Sequence, residues 1–289
     1  MTGPRRVIVN ADDYGLTSGV NRAVVAAHSH GVLTSTTVLV NTPRAAEAEA
    51  AAANWPELGF GLHVNFSRGE PSTDPARVRT LIGDDGRFLE PRQLVRRLMS
   101  RAVDPSEVYL EVRSQIAAFR RLGIEPSHWD AHQSVAFLPG LRGPTTRAAG
   151  DLGVLRARTP RVWIVEPGCS PSTARIRWRL RRARRLLTDT NRLVAHVAIG
   201  RAFKRPDWLV SPNLVAQGDY STRWRVAFES LPPGTSEVVS HPAYVDDELA
   251  AAEPGLVEER GIDLESLLDP GARRALERQH AILVNFRAL

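Results

Sequence analysis

The chain has one cysteine, Cys169, so an internal disulfide is excluded and cysteine usage says nothing of the redox compartment. Lysine occurs once, at Lys204. Arginine supplies the other basic residues, which reads as a compositional bias rather than a functional choice. No apolar run approaches the ~20 residues that a membrane-spanning helix needs. No signal-like segment precedes the first strand-like run, so a cytoplasmic protein without a membrane span is expected. The 20 prolines and 21 glycines are spread along the chain, leaving no linker, low-complexity tract or internal repeat.

What is present suits a single domain over residues 1–289, since 289 residues at 43% hydrophobic content can bury a full core. The net charge of +6 is local: residues 174–205 hold eleven Arg or Lys against Asp189, a net +10, which leaves −4 elsewhere. Within that stretch Ile176, Leu180, Ala183 and Leu187 draw a narrow apolar stripe on a basic helix over 175–187. The expectation is a basic helical excursion at about 170–206 that packs on the body or meets a second copy in a homodimer. A nucleic-acid partner is not expected, because no aromatic stacking platform accompanies the arginines.

Strand-like runs alternate with helical patterns. Residues 6–10 read as a buried parallel strand, and Thr17 or Ser18 caps a helix that ends at Gly31. Ser35–Asn41 and Gly59–Phe66 read as further strands, with a helix from Pro43 to Asn54 between them. Residues 67–90 form a loop-rich excursion. Helices are expected at about 91–102 and at 106–122, the second capped by Ser106. Strands are then expected at Ser127–Phe137, Val154–Arg158, Trp163–Glu166, Glu237–His241 and Ile282–Phe286. So many alternating units predict an α/β fold closed into a distorted TIM-like barrel.

Four strand-like runs end in acid or imidazole: Asn10-Ala11-Asp12-Asp13, Gly61-Leu62-His63, His128-Trp129-Asp130-Ala131-His132 and Ser240-His241. In α/β folds strand ends converge in space. Of the adjacent Asp12 and Asp13, one can bind a metal while the other faces substrate. His63 by itself is more often a hydrogen-bonded core histidine than a ligand. His128, Asp130, His132 and Ser134 share one strand face by period two, although Trp129, Val135 and Phe137 argue that the strand is buried. His132 reads as a metal ligand and Asp130 as the partner that orients an imidazole from behind. His241, stopped by Pro242, sits at the rim. Two imidazoles and a carboxylate suit Zn²⁺ and tolerate other divalent ions. Such a site acidifies a bound water and polarises a carbonyl, which points to hydrolysis of an amide or ester.

With these residues in view, the chain resembles the YdjC/ChbG-like carbohydrate deacetylases. The matching text is Asn10-Ala11-Asp12-Asp13-Tyr14-Gly15-Leu16, Asn21, residues 31–41, Gly61-Leu62-His63-Val64-Asn65, His128-x-Asp130-x-His132, Arg205-Pro206-Asp207-Trp208 and Ser240-His241-Pro242. The resemblance implies a TIM-like barrel that removes acetyl groups from N-acetylated sugars such as chitooligosaccharides. It implies that Asp13, His63 and His132 bind one divalent ion, Mg²⁺ or Zn²⁺, of which ligand type favours Zn²⁺. Asp12 would be the general base and His241 the general acid, with Asn10, His128, Asp130 and Ser134 behind the ligands or against the substrate. Ser134 stands where the family often has a third histidine, which bears on sugar specificity. The competing readings are a metal-dependent phosphoester hydrolase and a non-catalytic sugar- or nucleic-acid-binding barrel.

Overall fold

The computed structural model describes residues 4–163, 193–200, 202–215 and 218–289. Cys169 and the helix expected over 175–187 lie outside the described residues. Among the described residues seven strands make one sheet: β1 (Arg5–Tyr14), β2 (Ser35–Val38), β3 (Gly59–Val64), β4 (Trp129–Ala131), β5 (Trp208–Val210), β6 (Gly234–Ser240) and β7 (Ala281–Leu283). Every pairing is parallel, in the order β4-β3-β2-β1-β6-β5. β7 shares an edge of β1 with β2, pairing Arg5–Val7 while β2 pairs the strand from Asn10 onward.

The sheet closes through isolated bridges rather than a full strand. Ala157 bridges Trp129 of β4, Arg156 bridges Lys204, and Val162 bridges Leu209 of β5. Residues 155–163 therefore hydrogen-bond to both ends of the strand order, giving a distorted parallel α/β barrel. The expected strands Val154–Arg158 and Trp163–Glu166 are reduced to these contacts, and 164–166 lie outside the described residues.

The described helices are α1 (Ser18–His30), α2 (Glu47–Asn54), α3 (Pro91–Met99), α4 (Pro105–Arg120), α5 (Arg142–Asp151), α6 (193–200), α7 (Tyr220–Glu229), α8 (Asp247–Ala252), α9 (Val257–Leu268) and α10 (Pro270–Arg278). Among the described residues no helix is long and apolar enough to cross a membrane. Thr17 caps α1 by accepting from the Val20 N–H. Asp104, rather than the expected Ser106, caps α4, its carboxylate accepting the Ser106 N–H at 2.8 Å. A carboxylate at that position meets both the free amide and the positive end of the helix dipole.

Strand parity divides the molecule into two interiors. Val7, Val9 and Ala11 of β1, Phe60 and Leu62 of β3, Trp129 of β4 and Val238 of β6 join the apolar core beneath the helices. The opposite parity, inside the barrel, carries Asn10, Asp12, Thr37, His63, His128, Asp130 and Glu237, all buried. The barrel interior is thus a polar network where bulky aliphatic layers are the common filling. Space for it comes from Gly61, where a Cβ would lie 2.3 Å from Cε1 of His128.

The strand expected over Ser127–Phe137 ends at Ala131. His132–Phe137 is a 3₁₀ segment in which Gln133 and Ser134 take left-handed backbone (φ 51 and 58). The period-two reading therefore fails after His132, and Ser134 is exposed on the turn instead of following Asp130 and His132 on one face.

Candidate active site

The two adjacent aspartates reach one site because β1 is bulged. Ala11 pairs Thr36 and Tyr14 pairs Val38, so three steps on β1 oppose two on β2. Successive side chains of a regular strand point to opposite faces. Here Asp13 takes φ 68, and the bulge turns its carboxylate to the mouth that Asp12 faces.

Asp13 Oδ1 lies 3.2 Å from His63 Nε2 and 3.0 Å from His132 Nδ1. The two imidazole nitrogens are 3.3 Å apart. A proton can serve only one of these contacts at a time, whereas a cation among the three atoms serves all of them. The donor atoms of Asp13, His63 and His132 all fall within 4.8 Å of one another, and His132 Nε2 is buried without a partner. That donor set fits a divalent ion of the zinc type. Behind it, His63 Nδ1 donates to Asp130 Oδ1 at 2.6 Å, which turns Nε2 toward Asp13. Thr37 Oγ1 donates to Asp130 Oδ2 at 3.1 Å and holds the carboxylate in place.

Asp12 is held chiefly by Arg158, although its carboxylate also falls within 4.8 Å of the donor atoms of His63 and Asp130, a second buried group able to hold an ion. Arg158 donates to both of its oxygens, Nη1 to Oδ2 at 2.8 Å and Nη2 to Oδ1 at 2.6 Å. Asn10 Nδ2 adds a third donor to Oδ1 at 2.9 Å. Burial alone would raise the Asp12 pKa, but the Arg158 charge and hydrogen bonds outweigh it and hold the carboxyl well below the usual range. The same balance, with Arg260 opposing burial, keeps Asp13 ionised; Arg260 Nη2 donates to its Oδ2 at 2.5 Å. For His63, burial works against the charged form, yet Asp130, Asp13 and Asp12 prevail and raise it to about 10.

His241 stands at the rim, its side chain 35% exposed, with Nε2 3.8 Å from Asp12 Oδ2. Its backbone N–H donates to Asp263 Oδ2 at 2.6 Å, and Trp224 Nε1 donates to Asp263 Oδ1 at 2.6 Å. β6 and α9 thereby fix where the histidine leaves the strand.

The structure therefore brings together Asn10, Asp12, Asp13, His63, Asp130, His132 and His241. It does not bring in His128 or Ser134. His128 lies deeper in the barrel, stacked on Phe286 at 3.5 Å, with Ser127 Oγ 2.9 Å from its Nδ1. Burial holds its pKa well below the usual value, so the ring is a neutral packing element.

Arg158, Arg260 and Glu237 are the site residues that sequence reasoning missed. Arg158 ion-pairs with Asp12, with Asp130 at 2.8 Å and with Glu237 at 2.7 Å, one guanidinium serving three buried carboxylates. It ends an expected strand, as the flagged acids and histidines do, so the same strand-end rule finds it. Glu237 is a lone charge in the apolar run Glu237–Ser240, which was a readable signal. Arg260 lies on α9 among other charged residues and carries none.

Comparison with known proteins places these features in context. A family model described as YdjC-like protein matches residues 6–278. A carbohydrate deacetylase of Thermoanaerobacter pseudethanolicus is 28% identical over 285 residues, 98% of each chain. A carbohydrate deacetylase of Vibrio vulnificus (strain CMCP6) is 42% identical over 127 residues, which is 44% of this chain and about half (48%) of that relative. The crystal structure of a protein from Enterococcus faecalis V583, named for cellobiose-phosphate cleavage, superimposes over 99% of both chains with a TM-score of 0.76 at 23% identity. At that identity the likeness concerns the fold.

Proposed function

The chain belongs to the YdjC-like protein family, and on that premise we propose that it removes the acetyl group from an N-acetylated sugar by metal-assisted hydrolysis. The observation that carries this reading is the division of two neighbouring carboxylates. Asp13 contacts two imidazoles at 3.2 and 3.0 Å, while both oxygens of Asp12 are taken by Arg158 and its Oδ2 lies 3.8 Å from His241. Asp13, His63 and His132 would hold the ion, and two imidazoles with one carboxylate favour zinc. When bound, a divalent ion would polarise the acetyl carbonyl and acidify a water.

The chain's own groups do the rest. Asp12, kept ionised and oriented by Arg158 and Asn10, accepts the proton of the attacking water. Arg158 supplies nearby positive charge, which remains paired as Asp12 is neutralised. His241 gives a proton to the leaving nitrogen as the C–N bond breaks, releasing acetate and a free amine. Its exposure at the rim lets it reach a sugar that stays outside the barrel. The named functions of the deacetylase relatives support this substrate class. Residues 1–289 are read as one catalytic domain.

A pair of variants tests the division of roles. Asp12→Asn is expected to keep the metal stoichiometry and lose on the order of 10²–10⁴ in kcat, a typical general-base contribution. His132→Ala is expected to lower the metal content as well as the rate. Full activity in Asp12→Asn, or unchanged metal content in His132→Ala, would contradict the assignment.

A further inference from the structure

Two ion pairs cross the carboxyl end of β1. α8 follows β6, while Arg44 follows β2 and Arg68 follows β3. In the sheet β1 lies between β2 and β6, so any bond from the β2 or β3 loop to α8 passes its end. Arg44 Nε meets Glu248 Oε1 at 3.2 Å, on the outer side, where Glu248 also accepts the Ser18 N–H that opens α1. Arg68 Nη2 meets Glu253 just beyond α8 and donates to Ala252 O at 3.1 Å. This second pair is the more enclosed, with side chains 28% and 17% exposed, and Arg68 lies close enough to Asp13 and Arg260 to feel both charges.

The backbone of Arg68 is hydrogen-bonded on both sides. Asn65 accepts its N–H at 3.1 Å, and both Asn65 and Asn41 donate to its carbonyl, at 2.8 and 3.1 Å. Asn65 is itself gripped by Gln115 of α4, which accepts its N–H at 3.0 Å and donates to its carbonyl at 2.6 Å. Glu111, one turn earlier and fully buried, accepts from Gln115 and from the N–H groups of Ser72 and Thr73. An ion pair that is still partly open to solvent is a weak source of stability. A buried polar network that fixes the backbone from which this arginine extends is better explained by where it starts that side chain than by stability.

We propose that the Arg68–Glu253 pair is the end wall of the substrate cleft and determines which sugar unit of an N-acetylated oligosaccharide is deacetylated, a reading that rests on the deacetylase function proposed above. A sugar enters from the side of His241. A chain that continued past Asp13 over the end of β1 would have to part Arg68 from Glu253. The terminal unit abuts the pair instead, where a charged donor and a charged acceptor side by side suit the hydroxyls of a sugar end. The wall thus selects an end unit and excludes internal ones.

The test maps the deacetylated position in N-acetylated chitooligosaccharides by mass spectrometry and measures binding from disaccharide to hexasaccharide with metal-free protein. The wild type is expected to lose acetate from one end unit, with affinity that stops rising once the chain fills the open side. Arg68→Ala and Glu253→Ala are expected to deacetylate internal units as well and to bind the hexasaccharide about tenfold more tightly than the wild type does. The charge-exchanged pair Arg68→Glu with Glu253→Arg is expected to regain end selectivity. Arg44→Ala, which loosens α8 without touching Arg68, is expected to keep it. Internal deacetylation by the wild type, or an identical position pattern and length dependence in folded Arg68→Ala and Glu253→Ala, would overturn the wall. Absence of acetate release from every sugar by metal-loaded wild type would instead strike the deacetylase reading; a length dependence of binding unmoved by both substitutions would then overturn the wall independently.

Discussion

At the scale of single residues, the site is a problem of charge placed in a dry interior. Asp12, Asp13, Asp130 and Glu237 are buried together, and Arg158, Arg260 and His63 balance them. Glu237 shows the cost: burial exceeds the pull of Arg158, and its pKa is pushed up to about 7. His63 shows the opposite outcome, raised to about 10 against burial. The sign for His63 follows from linkage. A histidine whose folded pKa exceeds its unfolded value of about 6.5 contributes stability that is fully present below that value and lost as pH rises through 10. The metal-free protein therefore holds a proton on His63 at neutral pH, and an ion that takes Nε2 must displace it. Calorimetric titration with zinc in buffers of different ionisation enthalpy should show about one proton released per ion at pH 7–8. The association constant should climb about tenfold per pH unit in that range. Binding without proton release would mean that His63 is not a ligand.

At the scale of elements, the decisive features are a bulge and a glycine. The β1 bulge makes two adjacent carboxylates serve one mouth, and the left-handed Asp13 is the residue that allows it. Gly61 admits the His128 ring into the barrel, and His128 in turn stacks on Phe286 near the C-terminal end of the described chain. An added methyl at Gly61 has no space without moving that ring. Gly61→Ala should lower the unfolding free energy by about 1–3 kcal/mol in urea, the usual range for overpacking. Part of that loss should return in Gly61→Ala with His128→Ser, because the two sites share one contact. An unchanged midpoint in the single variant would show that the ring is not fixed there.

Legibility from sequence follows the same division. The residues Asp12, Asp13, His63, Asp130, His132 and His241 were visible because each ends a strand-like run, and strand ends converge by topology alone. Ser134 was misplaced because period two was extended through a turn; nothing local in His132-Gln133-Ser134 announces two consecutive left-handed residues. β5 was missed since Trp208–Val210 is short and follows a charged stretch. Arg158 ends an expected strand, but arginine is so abundant in this chain that residue type alone does not mark it out. Arg260 needed a fold that lays α9 against the end of β1, which is a tertiary fact.

At the scale of the whole molecule, a parallel barrel gathers into one mouth residues that lie as far apart in sequence as Asp12 and His241, and its interior is given over to holding them. The outer apolar core beneath the helices carries the fold, so the inner parity of the strands is free to be polar. This arrangement gathers at the mouth a buried Asp/His group that could hold a metal ion. The most direct measurement is acetate release from N-acetylglucosamine, chitobiose and chitotriose by protein stripped of metal and then supplied with Zn²⁺ or Mg²⁺. The account predicts no release from the stripped protein and stoichiometric recovery of acetate production as the ion is restored. Acetate release that is unchanged by stripping, or none from any N-acetylated sugar with the ion demonstrably bound, would contradict it.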